Sequence, residues 1–184
     1  MAGADSIVGQ HISSADRVIA YLPLAHIFEL VFENACLFWG AILGYAHPRT
    51  LSDTSVRNCA GDLRELKPTL MVGVPAIWET VRKGIVRKIS ESGIVSRTAF
   101  WAAISLKRFL LRNSLPGIEL LDGLVFDKVA AATGGQLRLC MNGAGPIARS
   151  TQEFISLTIC PVISGYGITE TSAYVDSLSC VTAI

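Results

Sequence analysis

Residues Gln136–Ser164, which read QLRLCMNGAGPIARSTQEFISLTICPVIS, form the segment that decides the fold. Gln136–Met141 is predicted to be a strand, Ile147–Ser156 a helix and Pro161–Ser164 a second strand. A strand, a helix and a strand in that order imply a right-handed crossover between two parallel strands. We therefore predict an α/β fold with a mostly parallel sheet flanked by helices, whose ligands bind at the carboxyl ends of the strands.

The rest of the chain supplies more elements of the same kind. Arg17–Leu22 and Thr69–Val74 are rich in β-branched and apolar residues and are each closed by a proline, so both are predicted strands. Helices are predicted by helical spacing of apolar residues and by glycine and proline stops for five stretches: His26–Gly44, a stretch from about Ser55 to Lys67-Pro68, Ala76–Ser92, Ser96–Asn113 and Leu120–Ala132. No internal repeat or linker interrupts them, which favours one domain.

Composition excludes several classes of protein. The chain has 184 residues and a net charge of +1, so it lacks the positive field that favours a nucleic-acid partner. Its five cysteines are odd in number and without C-x-x-C pairing, which indicates free thiols in a reducing compartment and no zinc site. The N-terminus lacks the pattern of a secretory signal.

Hydrophobicity raises the question of a membrane segment. Apolar residues make up 51% of the chain and the mean hydropathy is +0.45. The most apolar run, Leu30–Ala46, is shorter than the about 20 residues that a bilayer requires, and Glu33 and Asn34 interrupt it. A buried helix is therefore favoured over a transmembrane segment.

Gly165-Tyr166-Gly167-Ile168-Thr169-Glu170 follows the last predicted strand and combines groups suited to a nucleotide. Gly165 and Gly167 allow a ligand to approach the backbone, and Tyr166 can stack on a base. Thr169 offers a hydroxyl to phosphate, and Glu170 a hard oxygen ligand to Mg²⁺. The alternative is an ordinary turn in which Tyr166 fills the core and Thr169 caps a helix.

A second glycine-rich turn, Asn142–Ala148, links the strand and helix of the deciding segment. It matches the dinucleotide pattern G-x-G-x-x-A, which leaves a Rossmann oxidoreductase as an alternative, although that fingerprint normally follows the first strand of its domain. Neither a phosphate-binding P-loop nor the G-x-S-x-G elbow of hydrolases occurs.

His26, within Pro23–Glu29, follows the first predicted strand at the edge where ligands gather. A histidine side chain at such an edge can take part in catalysis. A structural histidine is the alternative that the residues alone favour.

Six segments taken together and in order resemble the long-chain fatty acyl-CoA synthetases of the adenylate-forming superfamily. They are Tyr21–Glu29, Val72–Pro75, Leu115–Gly117, Gly134–Arg138, Gly143–Ile147 and Gly165–Thr171. The resemblance covers nearly the whole chain, and the length of the Arg82–Gly135 segment is similar to that of the eukaryotic long-chain branch.

The resemblance implies a role for each matching residue. Tyr166 is expected to stack on adenine, Gly167 and Thr169 to contact the AMP phosphate, and Glu170 to bind Mg²⁺. The Gly143-Ala144-Gly145 turn is expected to line the adenylate pocket. His26 is expected to lie near the reacting carboxylate and phosphate, and the residues after it on the same helix are expected to border the acyl tunnel.

The implied reaction joins a long-chain fatty acid to CoA through acyl-AMP, with ATP and CoA as substrates and Mg²⁺ as the metal. It implies that residues 1–184 are the central part of an AMP-binding domain, with the phosphate loop and the C-terminal lid domain absent. We therefore expect the isolated chain to be inactive, or to be a non-catalytic remnant that binds nucleotide or acyl groups. An intracellular location is expected, in the cytoplasm or on the cytosolic face of the ER, peroxisome or lipid droplet, with peripheral membrane association of the parent.

Overall fold

The fold is built on one six-stranded sheet. The computed structural model describes residues 12–53, 56–165 and 178–180. The strand order is β2-β1-β3-β4-β5-β6. The strands are β1 (Arg17–Ala20), β2 (Ile42–Tyr45), β3 (Leu70–Gly73), β4 (Leu139–Asn142), β5 (Val162–Gly165) and β6 (Leu178–Cys180). Strands β1 to β5 are parallel, and β6 pairs with β5 in the antiparallel direction. The predicted α/β fold with a mostly parallel sheet is confirmed.

Helices cover both faces of the sheet because side chains alternate along each strand. Val18, Leu70 and Met141 pack on the face that carries the helix α1 (Ile27–Trp39). Ile19 and Met71, one position away, pack on the opposite face with the remaining helices. The central strands β3 and β4 are buried along their whole length, which explains their apolar sequences.

Helix α1 ends earlier than the sequence predicts. Its C-cap is Gly40 with a φ of 67°, a left-handed conformation that stops the helix. Ile42–Gly44, predicted to belong to the helix, instead lies in β2 (Ile42–Tyr45), which pairs with β1. The predicted helix to Gly44 is therefore wrong, because pairing with a neighbouring strand outweighs the local pattern.

Two other helical predictions need correction. The stretch predicted from about Ser55 is helical only in α2 (Asp62–Leu66), and Ser55 itself lies outside the described residues. The single helix predicted for Leu120–Ala132 is instead four short pieces. They are α5 (Ile118–Leu121), a π-helical turn (Asp122–Phe126), α6 (Asp127–Ala130) and a 3₁₀ turn (Ala131–Thr133).

The remaining helices agree with the sequence to within a few residues. They are α3 (Pro75–Glu91), α4 (Ile94–Arg112) and α7 (Arg149–Thr158). The predicted stop at Gly134 is confirmed. This residue has a φ of 91°, and a Cβ atom there would lie 2.4 Å from the carbonyl oxygen of Leu63.

A polar network joins the amino ends of three central strands. The carboxylate of Asp16 accepts hydrogen bonds from Thr69 Oγ1 at 2.7 Å and from Arg138 Nε and Nη2 at 3.0 and 2.7 Å. In the sequence, Asp16, Thr69 and Arg138 are the residues immediately before β1, β3 and β4. The network therefore fixes the relative positions of the strands whose opposite ends carry the candidate site.

Candidate functional site

The candidate site lies at the carboxyl ends of the parallel strands. The loop after β1 carries His26, β3 is followed by Val74 and Pro75, and β4 ends in the Asn142–Pro146 turn. Because these strands are parallel and adjacent, their following loops emerge at one edge of the sheet. Ligands of open α/β sheets bind at this edge.

His26 is the N-cap of α1 and is exposed. Its Nδ1 atom accepts a hydrogen bond from the backbone N–H of Phe28 at 3.2 Å. In the neutral ring, the proton therefore resides on Nε2, which can donate to an oxygen of a ligand. The structure therefore gives this histidine a structural role as the cap of α1, and its predicted role near the reacting groups stays a prediction.

The glycine-rich turn packs directly against the start of α1. A Cβ atom on the buried Gly143 would lie 2.5 Å from Cε2 and Cζ of Phe28, so only glycine permits this contact. Ala144 adopts a φ of 62°, a left-handed conformation that is uncommon outside glycine. The structure therefore brings the loop of His26 and the predicted Gly143-Ala144-Gly145 turn together, with the ring of Phe28 between them.

Four buried side-chain atoms near this edge have no hydrogen-bond partner among the described residues. They are Glu29 Oε2, Trp78 Nε1, Asn142 Oδ1 and Ser164 Oγ. Asn142 and Ser164 are direct neighbours in the β4–β5 register, and the Nδ2 atom of Asn142 donates to the carbonyl of Gly145 at 3.0 Å. An unpaired buried polar atom is costly unless a ligand satisfies it.

Sequence reasoning did not assign a role to these four residues. A signal for Asn142 was present, since an amide ends the otherwise apolar run Leu139–Met141. Glu29 was noted only for its place just past a strand end beside His26, and Trp78 gave no signal, because a tryptophan in the first turn of a helix is ordinary.

Glu29 is the most strongly perturbed acid at this edge. It lies in the first turn of α1 and is 1% exposed. Burial, together with the nearby charge of Glu33, raises the pKa of Glu29 to about 7, although backbone N–H groups of Leu22 and Tyr21 partly oppose this. The carboxyl group therefore titrates near neutral pH.

Replacing Glu29 by glutamine should make the stability of the chain less dependent on pH. A raised pKa favours the protonated acid in the folded state, so stability is greatest below pH 4.5 and falls as the pH rises through 7. Between pH 5 and pH 8, the free energy of unfolding of the wild type should fall by about 2 kcal/mol more than that of Glu29→Gln. Urea unfolding at several pH values measures this change.

The exposed Glu119→Gln is the control for that experiment, because it removes the same charge without burial. If the free energies of unfolding of wild type and Glu29→Gln changed in parallel with pH, the raised pKa of Glu29 would be contradicted.

The second half of the predicted nucleotide motif lies outside the described residues. Tyr166, Gly167, Thr169 and Glu170 belong to this part of the chain. Gly165 is the last residue of β5 and pairs with Leu178 of β6. Its position at the carboxyl end of a parallel strand places the start of the motif beside the Asn142 turn.

Two further properties concern metals and membranes. In the described part of the chain, no group of three or more His, Cys, Asp or Glu side chains is placed to hold a metal ion. Within residues 12–53, 56–165 and 178–180, no helix combines the length and apolar character needed to cross a membrane.

Comparison with known proteins decides the family. The model of the AMP-binding enzyme family matches residues 1–183. The chain belongs to the AMP-binding enzyme family. This match favours the resemblance found in the sequence over the dinucleotide-binding alternative.

The relatives of this chain include ligases from two yeasts. It is 53% identical over 173 residues to long-chain-fatty-acid–CoA ligase 2 of Schizosaccharomyces pombe, covering 94% of this chain and 25% of the relative. It is 53% identical over 171 residues to long-chain-fatty-acid–CoA ligase 1 of Saccharomyces cerevisiae, covering 93% of this chain and 24% of the relative. The chain therefore spans about a quarter of the length of these relatives.

A solved structure supports the fold of the chain independently of close sequence similarity. The long-chain-fatty-acid-CoA ligase of Archaeoglobus fulgidus superposes with a TM-score of 0.55 at 14% identity, covering 98% of this chain and 29% of that one. At this identity the likeness establishes the fold alone.

Proposed function

We propose that residues 1–184 form the central part of the adenylation domain of a long-chain fatty acid–CoA ligase. One observation carries the proposal: unpaired buried polar atoms of Asn142 and Ser164 flank the glycine-rich turn at the carboxyl edge of the sheet. The named activities of the relatives supply the substrate class. The phosphate loop and the lid domain of such a ligase are proposed to lie outside these residues.

The proposed reaction has two steps. An oxygen of the fatty carboxylate attacks the α-phosphate of ATP, and pyrophosphate leaves, which yields acyl-AMP. The sulfur of CoA then attacks the acyl carbonyl carbon, and AMP leaves with the bonding electrons. Both steps develop negative charge on oxygen, which fixed hydrogen-bond donors stabilise.

The described residues can be given parts in this reaction. Nε2 of His26 would donate to an oxygen of the carboxylate or phosphate, since Nδ1 is occupied by the backbone of Phe28. The Gly143-Ala144-Gly145 turn would line the nucleotide pocket, where the absence of large side chains permits close approach. Oδ1 of Asn142 is an acceptor suited to an amino group of the nucleotide.

The remaining assignments rest on the motif outside the described residues. Tyr166 would stack on adenine, Gly165 and Gly167 would allow its approach, and Thr169 would contact the phosphate. Glu170 would hold Mg²⁺, which binds through one or two carboxylates and substrate phosphates and needs no cluster of acidic side chains. When bound, Mg²⁺ would neutralise charge on the phosphates.

The parent ligase is proposed to act inside the cell, in the cytoplasm or on the cytosolic face of the ER, peroxisome or lipid droplet. Long-chain acids partition into membranes, so peripheral association would bring the enzyme to its substrate. The near-zero net charge of the chain supports no nucleic-acid partner.

A chimaera tests the proposal. Residues 1–184 replace the matching quarter of the Saccharomyces cerevisiae ligase 1, to which they are 53% identical. The wild-type chimaera should support palmitate-dependent exchange of pyrophosphate into ATP. The variant Glu170→Gln should lower that exchange about a hundredfold, because one electrostatic contact to the reacting phosphates is lost.

The control in the chimaera is Glu119→Gln, an exposed change in α5 that should leave exchange unaltered. A folded wild-type chimaera without exchange activity would contradict the proposed function. Unchanged exchange in Glu170→Gln would contradict the metal role alone.

A further inference from the structure

A cavity of about 320 Å³ lies among α3, α4 and the segment 118–133, away from the candidate site. Its apolar walls include Ile85 and Ile89 of α3 and Phe100 of α4. These residues belong to the core on the face of the sheet opposite α1. The volume is at the lower end of the roughly 300–1,000 Å³ typical of small-molecule pockets.

The irregular segment 118–133 forms one wall of this cavity. Leu124 and Val125, within the π-helical turn, line it together with Lys128 and Val129 of α6. Single π-helical turns occur often at functional sites, because the wider turn changes the direction of neighbouring side chains. The interruption of the predicted helix thus coincides with the cavity.

The charges at the cavity are all positive. Its polar lining residues are Lys88, Lys128 and Ser96, and among the described residues that line it none is acidic. Both lysines are exposed, and neither takes part in an ion pair within the described part of the chain. Lys107 of the same region, by contrast, is paired with Asp122.

Asp53 lies within electrostatic reach of Lys88 and is already paired with Arg64. Asp53 has its pKa lowered mainly by a hydrogen bond from Arg64 and only weakly by Lys88. The distance between Arg64 Nη1 and Asp53 Oδ2 is 2.7 Å. The cavity therefore presents, beside an apolar interior, a hydroxyl and two lysines that form no ion pair in the described part of the chain.

We propose that this cavity binds a fatty carboxylate, with the alkyl chain between α3 and α4 and the carboxylate held by Lys88 and Lys128. An apolar interior buries methylene groups, and the two lysines and Ser96 supply donors to a single anionic head. The site is independent of the proposed adenylation site, because it lies on the other face of the sheet.

Binding to the 184-residue chain tests the site directly. A fluorescent fatty acid, cis-parinarate, is displaced by saturated carboxylates of 8 to 16 carbons below their micellar concentrations. Affinity should rise about fourfold per methylene until the cavity is full and then level off. The alcohol of equal length, which lacks the charge, should bind about tenfold more weakly.

Variants locate the bound molecule. Lys88→Ala combined with Lys128→Ala should lower affinity about tenfold, because two partly exposed charge contacts are lost. The matched control, Lys83→Ala with Arg112→Ala, removes two exposed cations from α3 and α4 that do not line the cavity, and should change affinity less than twofold. Ala99→Trp should fill the cavity and abolish binding while both lysines remain.

The outcomes separate this site from the proposed function. Equal affinity in wild type and the Lys88/Lys128 double variant would overturn the inference, and would place any bound acid elsewhere, including the adenylation site. Should Ala99→Trp fail to fold by circular dichroism, the lysine pair still decides the question, since exposed substitutions leave the core intact. An inactive chimaera together with lysine-dependent binding would reject the proposed function and retain this site.

Discussion

Trp78→Ala is expected to lower the free energy of unfolding by about 3 kcal/mol, within the range for deletion of a buried aromatic side chain. Trp78 is 1% exposed and lies in the first turn of α3, where its ring packs under β3. A Cβ atom on Gly73 would lie 2.7 Å from Cζ2 of this ring, so the ring packs closely against the backbone of Gly73. The substitution also removes the buried, unpaired Nε1 donor, which offsets only part of the lost free energy of unfolding.

Urea unfolding of the 184-residue chain measures this effect. Trp78→Phe keeps most of the ring and removes the unpaired N–H group. Its free energy of unfolding should therefore be within about 1 kcal/mol of the wild-type value. Trp101→Ala serves as the surface control, since Trp101 is 42% exposed. A loss of stability in Trp78→Ala no larger than in Trp101→Ala would show that the packing under Gly73 is unimportant.

Asp16→Ala is expected to destabilise the chain by about 3 kcal/mol at pH 7, because it removes the buried carboxylate that accepts hydrogen bonds from Thr69 and Arg138. The Asp16 side chain is 5% exposed, whereas that of Arg138 is 42% exposed, which keeps the cost at the lower end for buried pairs. Glu91→Ala, which breaks the exposed Arg87–Glu91 pair, should cost less than about 0.5 kcal/mol.

The contribution of Asp16 should also depend on pH. Burial alone would raise the pKa of Asp16, but hydrogen bonds from Arg138, Thr69 and Ser13 outweigh it and hold this pKa well below its usual range. The stabilisation is therefore present above the pKa of the unfolded chain, near 4, and is lost as the pH falls below it. The free energy of unfolding of Asp16→Ala should therefore decrease less than that of the wild type as the pH falls below about 4. An equal decrease in the two proteins would refute the stabilising role of the Asp16 carboxylate.

These two residues connect stability to the candidate site. The Asp16 network aligns β1, β3 and β4 at their amino ends, and Trp78 supports the carboxyl end of β3. A parallel strand that shifts at either end carries its loop with it. Variants at both positions are therefore expected to disturb the pairing of Phe28 with Gly143 without altering any residue proposed to touch the nucleotide.

Local patterns predicted helices α3 and α4 well, because apolar residues recur there at helical spacing and prolines or glycines mark the ends. They failed for β2, whose four residues are apolar but become a strand only because β1 offers backbone partners. The same limit applies to the segment 118–133, where the π-helical turn follows no pattern that is visible in the sequence.

The candidate site divides in the same way. Glycine and histidine positions were visible from motif order, since only particular residue types permit a tight turn or an N-cap. The sequence did not show which buried polar atoms lack a partner, because burial depends on every element that packs above a residue. These atoms belong to Glu29, Trp78, Asn142 and Ser164.

By itself, the amino-acid sequence determined the α/β class, the family resemblance and the positions of the two glycine-rich turns, since these depend on neighbours along the chain. Tertiary structure alone decided that Phe28 lies against Gly143, that Asn142 and Ser164 stand side by side, and that Lys88 and Lys128 share a cavity. Such contacts join residues 22 to 115 positions apart, and their geometry is set by the packing of the whole sheet, which no local pattern specifies.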